Sequence, residues 1–207
     1  MWVEFIDVVR ERRSANIFIE NIDISRKVFD DLFYELTLAP SAFNLQHANY
    51  YVVQNPELKM EVYEAAYRQY KVKTSSAVIF VTGDKDAYKN ASEIYEGSKM
   101  LGILDQREFD QMIKMINDIY EGWGEKFQHD EAVRNASLSA ILFMLLAKDQ
   151  GWDTCPMIYF DQDKIRELLN IPDNEVTSLM ITMGKMDTIS VKLRGARKAP
   201  GEFTHFF

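Results

Sequence analysis

The sequence is poor in the residues that form disulfides, metal sites and surfaces for polyanions. It has one cysteine, Cys155, so no disulfide can form within the chain, and its three histidines are isolated from one another. The formal net charge of −8 disfavours nonspecific binding to nucleic acid or to an anionic membrane, because both need a basic face. Neither Gly-x-Gly-x-x-Gly nor Gly-x-x-x-x-Gly-Lys-Ser/Thr occurs, which excludes a Rossmann fingerprint and a P-loop. We therefore expect no nucleic acid, no membrane and no metal as a partner.

Long apolar runs are also missing. The longest, residues 140–147, is far too short to span a bilayer, and residues 1–5 carry an acid and lack the apolar run of a signal peptide. A single cysteine fits a reducing compartment, so we expect a cytoplasmic protein. Core-forming residues are plentiful, since 47% of the 207 residues are hydrophobic and 13% are aromatic, and this predicts a folded domain.

Helical and strand-like patterns follow one another without the regular alternation of a doubly wound sheet, which predicts an α+β fold. An N-terminal amphipathic helix carries apolar side chains at helical spacing, at Trp2, Phe5, Ile6 and Val9. A second such helix ends before Pro40, and residues 57–70 look helical as well. Strand-like runs lie at residues 50–53, 77–82 and 176–184. The run 77–82 is continuously apolar, which is typical of a strand buried on both faces.

The middle of the chain has a different composition. Residues 84–127 are rich in Lys, Asp, Glu, Tyr and Met, and we interpret them as a helical excursion, either a lid or a partner-facing arm. The segment Gly122–Gly124 breaks the helical pattern, and a long helix is predicted from Asp130. That helix is apolar almost all round at residues 138–147, so it must be buried almost all round. We therefore expect a central helix that a second subunit partly covers.

The stretch Ala39–Gln46 separates a helix from a strand and is unusually rich in uncharged polar groups. Ser41, Asn44 and Gln46 can each donate and accept hydrogen bonds, and apolar residues lie between them. One interpretation is a turn whose side chains cap nearby backbone. The other is a wall for a flat heteroaromatic ligand that has both N–H and C=O groups along its edge.

Positive charge is concentrated near the two ends of this acidic chain. Arg10, Arg12 and Arg13 precede Ser14, and a second basic cluster spans residues 192–198. Each cluster alone is typical of a solvated face. If the fold brings the two together, their guanidinium groups form a compact pocket for a dianion such as phosphate.

Four motifs, taken in order, resemble the nitroreductase family of FMN-dependent oxidoreductases over essentially the whole chain. They are Glu11–Ser14, then Ala39–Gln46, then Asp130–Ala136 leading to Gly151–Trp152 and Pro156–Met157, and finally Arg194–Lys198. The resemblance implies a nitroreductase-like α+β fold with a central mixed β-sheet surrounded by helices and a long buried central helix. It also implies one FMN-binding domain over residues 1–207 and an intertwined homodimer with FMN at the subunit interface.

The resemblance assigns cofactor-binding roles residue by residue. The phosphate and ribityl end would be held by Arg12, Arg13 and Ser14, together with Arg194, Arg197 and Lys198. The flavin and ribityl chain would be lined, partly from the opposite subunit, by Pro40, Ser41, Asn44 and Gln46. The isoalloxazine would lie against Cys155, Pro156, Met157 and Ile158, with a backbone N–H near Ile158 facing flavin N5. Candidates for the flavin edge are Asn16, Arg68, Gln69 and Lys71.

The implied activity is hydride transfer from NADH or NADPH to flavin N5, and from there to a nitroaromatic, a quinone or a similar small acceptor, with ping-pong kinetics. No side chain is assigned as catalytic, because the reactive atom belongs to the cofactor. Cys155 is interpreted as a small buried residue that touches the cofactor and not as a nucleophile, because nothing basic adjoins it.

Two departures from the family pattern keep alternatives open. Asn16 stands where the family usually has Lys or Arg, and loss of that cation should lower the flavin potential. Tyr159 stands where the family often has Gly and could narrow the space above the flavin. These two residues keep open a flavin-binding redox sensor or storage protein without efficient turnover. An enzyme of dehalogenation or flavin destruction is another alternative, but it would need substrate-contacting lid residues, and none is recognisable in 84–127. A third is an interaction protein that has lost FMN, against which the intact Arg-Arg-Ser and Pro-Ser-x-x-Asn-x-Gln motifs argue.

Overall fold

Four strands form one sheet in the computed structural model, which describes residues 4–207. They are β1 Ala48–Val53, β2 Ala77–Asp84, β3 Asp153–Met157 and β4 Glu175–Gly184. Their spatial order is β1-β2-β4-β3, and every neighbouring pair is antiparallel. The predicted mixed sheet is therefore wrong for these strands, because helical connections such as residues 54–76 return the chain to the same end of the sheet. Within the described part of the chain, parallel pairing is limited to an isolated bridge between Ser14 and Thr154.

Seven helices surround the sheet in the described residues. They are α1 Phe5–Glu11, α2 Arg26–Leu36, α3 Pro56–Ala65, α4 Tyr70–Thr74, α5 Ala91–Met100, α6 Gln106–Asp149 and α7 Gln162–Leu169. The helix predicted over residues 57–70 is wrong beyond Ala65, because Tyr67 and Arg68 have left-handed backbone and end it. Trp2 of the predicted N-terminal helix lies outside the described residues. Among residues 4–207, no helix combines the length and the apolar character that crossing a bilayer requires.

Strand β2 lies at the centre of the core, and its predicted burial on both faces is confirmed. Alternate residues of a strand point to opposite faces. Ile79 and Val81 accordingly pack with α2 and α6 on one side. Val78 and Phe80 pack with α3 and α7 on the other. The sheet is therefore a middle layer with helices on each face, which leaves its edges and strand ends to carry a site.

Helix α6 bends at Gly124, where the backbone has φ 75° and ψ −173°. The predicted break at Gly122–Gly124 is thus confirmed, but the predicted helix start at Asp130 is wrong, since the helix resumes directly after Gly124. Its apolar half is not buried all round within one chain, because Leu138 and Ile141 are 43% and 44% exposed. On the buried side, α6 approaches β2 so closely that a Cβ at Gly83 would lie 2.2 Å from the carbonyl oxygen of Ala132.

The segment 84–127 is largely helical and packs against the Ala39–Gln46 loop. Ile116 and Tyr120 from α6 join Leu45 and Tyr88 in a third buried cluster. The hydroxyl of Tyr95 donates a 3.0 Å hydrogen bond to the carbonyl of Phe43. This excursion therefore supports the loop from one side. Its role as a lid or as a dimer arm stays a prediction.

Candidate functional site

The two basic clusters from opposite ends of the chain line one cleft, which we call the basic cleft. Its lining side chains include Arg12, Arg13, Ser14, Asn16, Lys192, Arg194 and Arg197. The guanidinium of Arg13 donates to the carbonyl of Lys192. That of Arg194 donates to the carbonyl of Arg10, and also to that of Arg12 at 3.2 Å. These side chain-to-backbone bonds dock the C-terminal segment on the N-terminal one. Lys198 does not line the cleft.

Positive charge in the basic cleft has no acidic ion-pair partner among residues 4–207. None of the ion pairs within residues 4–207 involves Arg12, Arg13, Arg194 or Arg197. The pKa of Arg12 is lowered, first by burial and then by the charges of Arg194 and Arg197. Like charges held together in this way repel one another, so an anion bound in the cleft would relieve the repulsion.

Strand β3 runs beside the basic cleft and carries the predicted flavin-facing residues. The N–H of Ala15 donates a 3.1 Å hydrogen bond to the carbonyl of Thr154, and Ser14 forms a parallel bridge with Thr154, the residue that precedes Cys155. Cys155 is buried, whereas Pro156 is exposed. Ile158, just beyond the strand, is 79% exposed.

A basic group does adjoin Cys155, contrary to the expectation from sequence. The ammonium of Lys71 lies 3.3 Å from the cysteine sulfur, donating to it across 84 residues of sequence. Lys71 comes from α4, which follows the left-handed turn after α3. Only the tertiary packing of α4 beside β3 creates this contact. It places a cation next to β3, the strand that carries Pro156 and leads into Ile158.

The segment 67–71 meets the segment 155–159 at two further points. The amide of Gln69 donates a 2.6 Å hydrogen bond to the carbonyl of Tyr159. The rings of Tyr67 and Tyr159 have centroids 4.4 Å apart. Arg68 instead pairs with Glu64 on the surface of α3 at 2.8 Å. Of the three candidates for the flavin edge in this segment, the structure brings Gln69 and Lys71 to β3 and turns Arg68 away.

The Ala39–Gln46 loop is a strained turn that is tied by its own side chains. Phe43, Asn44 and Gln46 have φ of 50°, 53° and 52°, a left-handed conformation that is uncommon for residues other than glycine. The hydroxyl of Ser41 accepts a 3.0 Å hydrogen bond from the N–H of Gln46. The amide of Gln46 donates to the carbonyl of Asn44 at 3.2 Å. Side chains of this loop therefore do cap nearby backbone, and the role of the loop as a wall for a flat ligand stays a prediction. Strain of this kind is concentrated at functional sites in many proteins.

The loop also depends on Asn135, which lies in the Asp130–Ala136 motif but was given no role of its own by the sequence reasoning. Its side-chain oxygen accepts a 2.7 Å hydrogen bond from the N–H of Ala42. Its amide donates to the carbonyl of Glu131 at 2.8 Å and to the carboxylate of Glu131 at 3.1 Å. An asparagine on the buried side of an apolar helix was the available signal, because a buried amide needs partners.

A cavity of about 230 Å³ lies under the loop, and we call it the loop cavity. Its lining residues include Phe33, Leu36, Pro40, Ser41, Gln46, His47, Tyr50, Asn135 and Ser139. Asn44 is not among them. Among the described residues, the loop cavity and the basic cleft share no lining residue. A single chain therefore presents the predicted phosphate and loop contacts as two separate surfaces.

His47 is a structural residue at the base of the loop cavity. It is 1% exposed, and its Nε2 lies 3.1 Å from the hydroxyl of Tyr120. Burial lowers the pKa of His47 to about 4, while the charge of Asp84 acts weakly in the opposite direction. The imidazole is therefore neutral at physiological pH.

Comparisons with known proteins agree with this arrangement. A sequence model described as "Nitroreductase family" matches residues 9–185. The chain is 49% identical over 203 residues to MhqN of Bacillus subtilis (strain 168), which carries the name of an NAD(P)H nitroreductase, and the match covers 98% of each protein.

Solved structures give the same result for the fold. The crystal structure of ydfN from Bacillus subtilis has a TM-score of 0.96 and 48% identity, covering 98% of each chain. A protein of Exiguobacterium sibiricum that was solved in complex with FMN has a TM-score of 0.90 and 27% identity, covering 99% of this chain and 98% of that one. The predicted nitroreductase-like α+β fold is thereby confirmed. With the fold shared at this level and the family pattern matched from residue 9 to residue 185, the chain belongs to the nitroreductase family.

Proposed function

We propose that the protein is an FMN-dependent oxidoreductase that uses NADH or NADPH to reduce small acceptors such as nitroaromatics and quinones. The observation that carries the proposal is the basic cleft. In an acidic chain, four arginines without an ion-pair partner among residues 4–207 face one small space beside β3. An anionic group that binds there best accounts for this uncompensated charge.

The residues present fit the three chemical parts of FMN. The guanidinium forks of Arg12 and Arg13 suit the oxygens of a phosphate dianion. Gln69 and Lys71 suit a hydrogen-bonding ring edge, and the exposed side chain of Ile158 suits an aromatic ring face. Bound FMN would supply the hydride chemistry, which is why no catalytic side chain is required.

The residues of the chain itself would bind the cofactor and orient its ring. Ile158 follows Met157, the last paired residue of β3, so its N–H lies beyond the ladder with β4 and can be offered to a ligand. The bond from Gln69 to the carbonyl of Tyr159 holds this segment in place. The Ala15–Thr154 bond fixes the same strand to the arginine segment. These two bonds would therefore hold the phosphate-binding segment and the ring-binding segment in a fixed position relative to each other.

We also propose that two chains complete each site as an intertwined homodimer. The loop cavity and the basic cleft are separate within one chain, so a second copy is needed to bring loop and phosphate contacts together. Leu138 and Ile141 leave part of the central helix uncovered. At the C-terminus, Phe206 and Phe207 are fully exposed and free to pack on a neighbouring subunit. Sedimentation equilibrium tests this proposal, since a monomer mass with FMN bound would contradict a shared site.

The experiment that tests the proposed function is anaerobic titration of the purified protein. It should be yellow, and its flavin absorbance should bleach on addition of NADH or NADPH and return when a quinone is added. A colourless protein that cannot be reconstituted with FMN would contradict the cofactor assignment. Comparing the two nucleotides in the same titration also determines which one is used.

A redox sensor or storage protein is the second candidate function. It is favoured by Asn16, which lines the basic cleft as a neutral residue, and by Tyr159, whose ring is 67% exposed at the site. A yellow protein that neither nucleotide reduces at a useful rate would support this candidate over the enzyme.

A further inference from the structure

We propose that Tyr67 and Tyr159 form an aromatic platform at the mouth of the site, and that this platform binds the planar, electron-poor ring of the acceptor. The inference rests on the proposed function and deepens it by naming the residues that select among acceptors. The two ring centroids lie 4.4 Å apart, with the ring planes inclined by 36°. Both rings nevertheless remain accessible, since Tyr67 is 51% exposed and Tyr159 is 67% exposed.

The platform lies at the outer end of a line of contacts between two segments of the site. The innermost contact joins Lys71 to Cys155 at 3.3 Å. The next joins the amide of Gln69 to the carbonyl of Tyr159 at 2.6 Å. The outermost contact is the one between the rings of Tyr67 and Tyr159. This order places the platform beside the exposed segment after β3, where the ring of the cofactor is proposed to lie.

The backbone holds Tyr67 in place at an energetic cost. Tyr67 and Arg68 follow each other with φ of 53° and 55°, a conformation that glycine would adopt without strain. Backbone bonds from Tyr67 to Glu64 at 3.1 Å and from Arg68 to Tyr63 at 2.9 Å fix this turn at the end of α3. Backbone strain of this kind is concentrated at functional sites. A bulky aromatic residue in such a turn therefore indicates a functional role for its side chain.

The chemistry of the pair matches one class of ligand. The faces of tyrosine rings carry negative charge density, so they stack in offset fashion on planar rings that are poor in electrons. Quinones and nitroaromatics have such rings, because their carbonyl and nitro groups withdraw electrons from the ring. The nicotinamide ring is planar as well, so the test must separate acceptor binding from nucleotide binding.

The test compares acceptors on flavin that has been photoreduced anaerobically with EDTA as the electron donor, without any nucleotide. Rapid mixing then gives the concentration of 1,4-benzoquinone that half-saturates reoxidation, and ferricyanide serves as an acceptor without a planar ring. The variants are Tyr159→Leu, and Tyr67→Asn, because Asn tolerates left-handed backbone. The control is Tyr70→Leu, since Tyr70 is 52% exposed and bonds instead to Glu20.

Each platform variant should raise the half-saturating concentration of benzoquinone by about three- to tenfold, the loss expected for one aromatic stacking contact. Ferricyanide should be unaffected, and Tyr70→Leu should change neither acceptor. Tyr159→Phe, which keeps the ring, should behave like the wild type. If Tyr159→Leu fails to retain FMN, the half-saturating concentration of benzoquinone for Tyr67→Asn is the test of the platform.

Two results would overturn the platform. One is a half-saturating concentration of benzoquinone that is unchanged in both variants, and the other is an equal rise in the half-saturating concentration of ferricyanide. Failure of the proposed function is seen separately and earlier. In that case the wild-type protein is colourless, or it is yellow and passes no electrons to benzoquinone. A yellow, active wild type with insensitive variants contradicts the platform alone.

Discussion

The side-chain oxygen of Asn135 accepts a 2.7 Å hydrogen bond from the N–H of Ala42, which ties the central helix to the Ala39–Gln46 loop across 93 residues of sequence. Asn135 is 3% exposed, and its amide is held in turn by Glu131. Left-handed residues other than glycine persist where the surrounding structure holds them in place, and the bond to Asn135 is such a contact. Asn135 is therefore a positioning residue for the proposed site.

Replacement of Asn135 by leucine should destabilise the protein and weaken its hold on FMN. The variant leaves the N–H of Ala42 without its partner, which costs about 1–3 kcal/mol when the group stays buried. Urea unfolding measures the first effect, and a flavin dissociation constant measures the second. Ser137→Ala is the control, because Ser137 lies on the exposed side of the same helix. Equal effects from both variants would contradict the role given to Asn135.

Arg197→Ala should weaken FMN binding far more than Arg10→Ala. Arg197 lines the basic cleft, whereas the side chain of Arg10 pairs with Asp7 at 3.8 Å outside it. One charge-assisted hydrogen bond to phosphate is worth about 1.5–3 kcal/mol, which corresponds to roughly 10- to 100-fold in affinity. Flavin fluorescence during equilibrium dialysis gives both constants. Riboflavin, which has no phosphate, should bind both variants equally.

Lys71→Met should make the bound flavin harder to reduce. Lys71 is a cation beside β3, and a nearby cation favours the electron-rich form of a cofactor. A change of about 1–3 kcal/mol corresponds to roughly 20–60 mV for a two-electron couple. Asn16→Lys should shift the potential in the opposite direction, because it adds a cation to the same region. Dye-coupled redox titration reads both shifts, and two shifts of the same sign would refute the argument.

Because His47 is buried, the free energy of unfolding should be lower in weak acid than at neutral pH. Burial lowers its pKa from 6.5 to about 4, so between these values the unfolded chain binds a proton that the folded chain does not. The stability from a neutral His47 is complete above pH 6.5 and is lost as the pH falls towards 4, on the order of 3 kcal/mol in all. Between pH 7.5 and pH 4.5, the free energy of unfolding of His47→Gln should decline less than that of the wild type. His129→Gln should not, because His129 is exposed.

Gly83→Ala should destabilise the protein, because the new Cβ would lie 2.2 Å from the carbonyl oxygen of Ala132 on α6. Separating β2 from α6 to make room costs about 1–3 kcal/mol, as for other overpacked cores. Gly97→Ala is the matched control, since a Cβ there has nothing within 4 Å and lies in the middle of α5. The control should stabilise the protein by about 0.5–1 kcal/mol through helix propensity. Thermal unfolding of the two variants should therefore shift in opposite directions.

Local patterns identified most of the elements correctly. The apolar run at 77–82 became the buried strand β2, and the glycines at 122–124 marked the bend in α6. Each of these outcomes depends on residues close together in sequence, and that is why a pattern could reveal it.

Errors arose where distant parts of the chain decide the structure. The direction of the strands depends on how helical connections cross the sheet, so the sheet is antiparallel where a mixed one was expected. The helix predicted over 57–70 ends early, because Tyr67 and Arg68 adopt left-handed backbone, and the ring of Tyr67 then packs on that of Tyr159. The cation beside Cys155 was missed, because Lys71 is separated from it by 84 residues.

The sequence by itself determined the family, most of the helices, three of the four strands, and the residue chemistry of the two basic clusters and the polar loop, because residue types and short spacings encode these features. Strand β3 was not predicted. Only the tertiary structure decided that Arg12 and Arg194 line one cleft and that Lys71 meets Cys155. It also decided that Asn135 supports the strained loop. These relationships require long loops of chain to close, and the packing of α4 and α6 against the sheet fixes which distant side chains then meet.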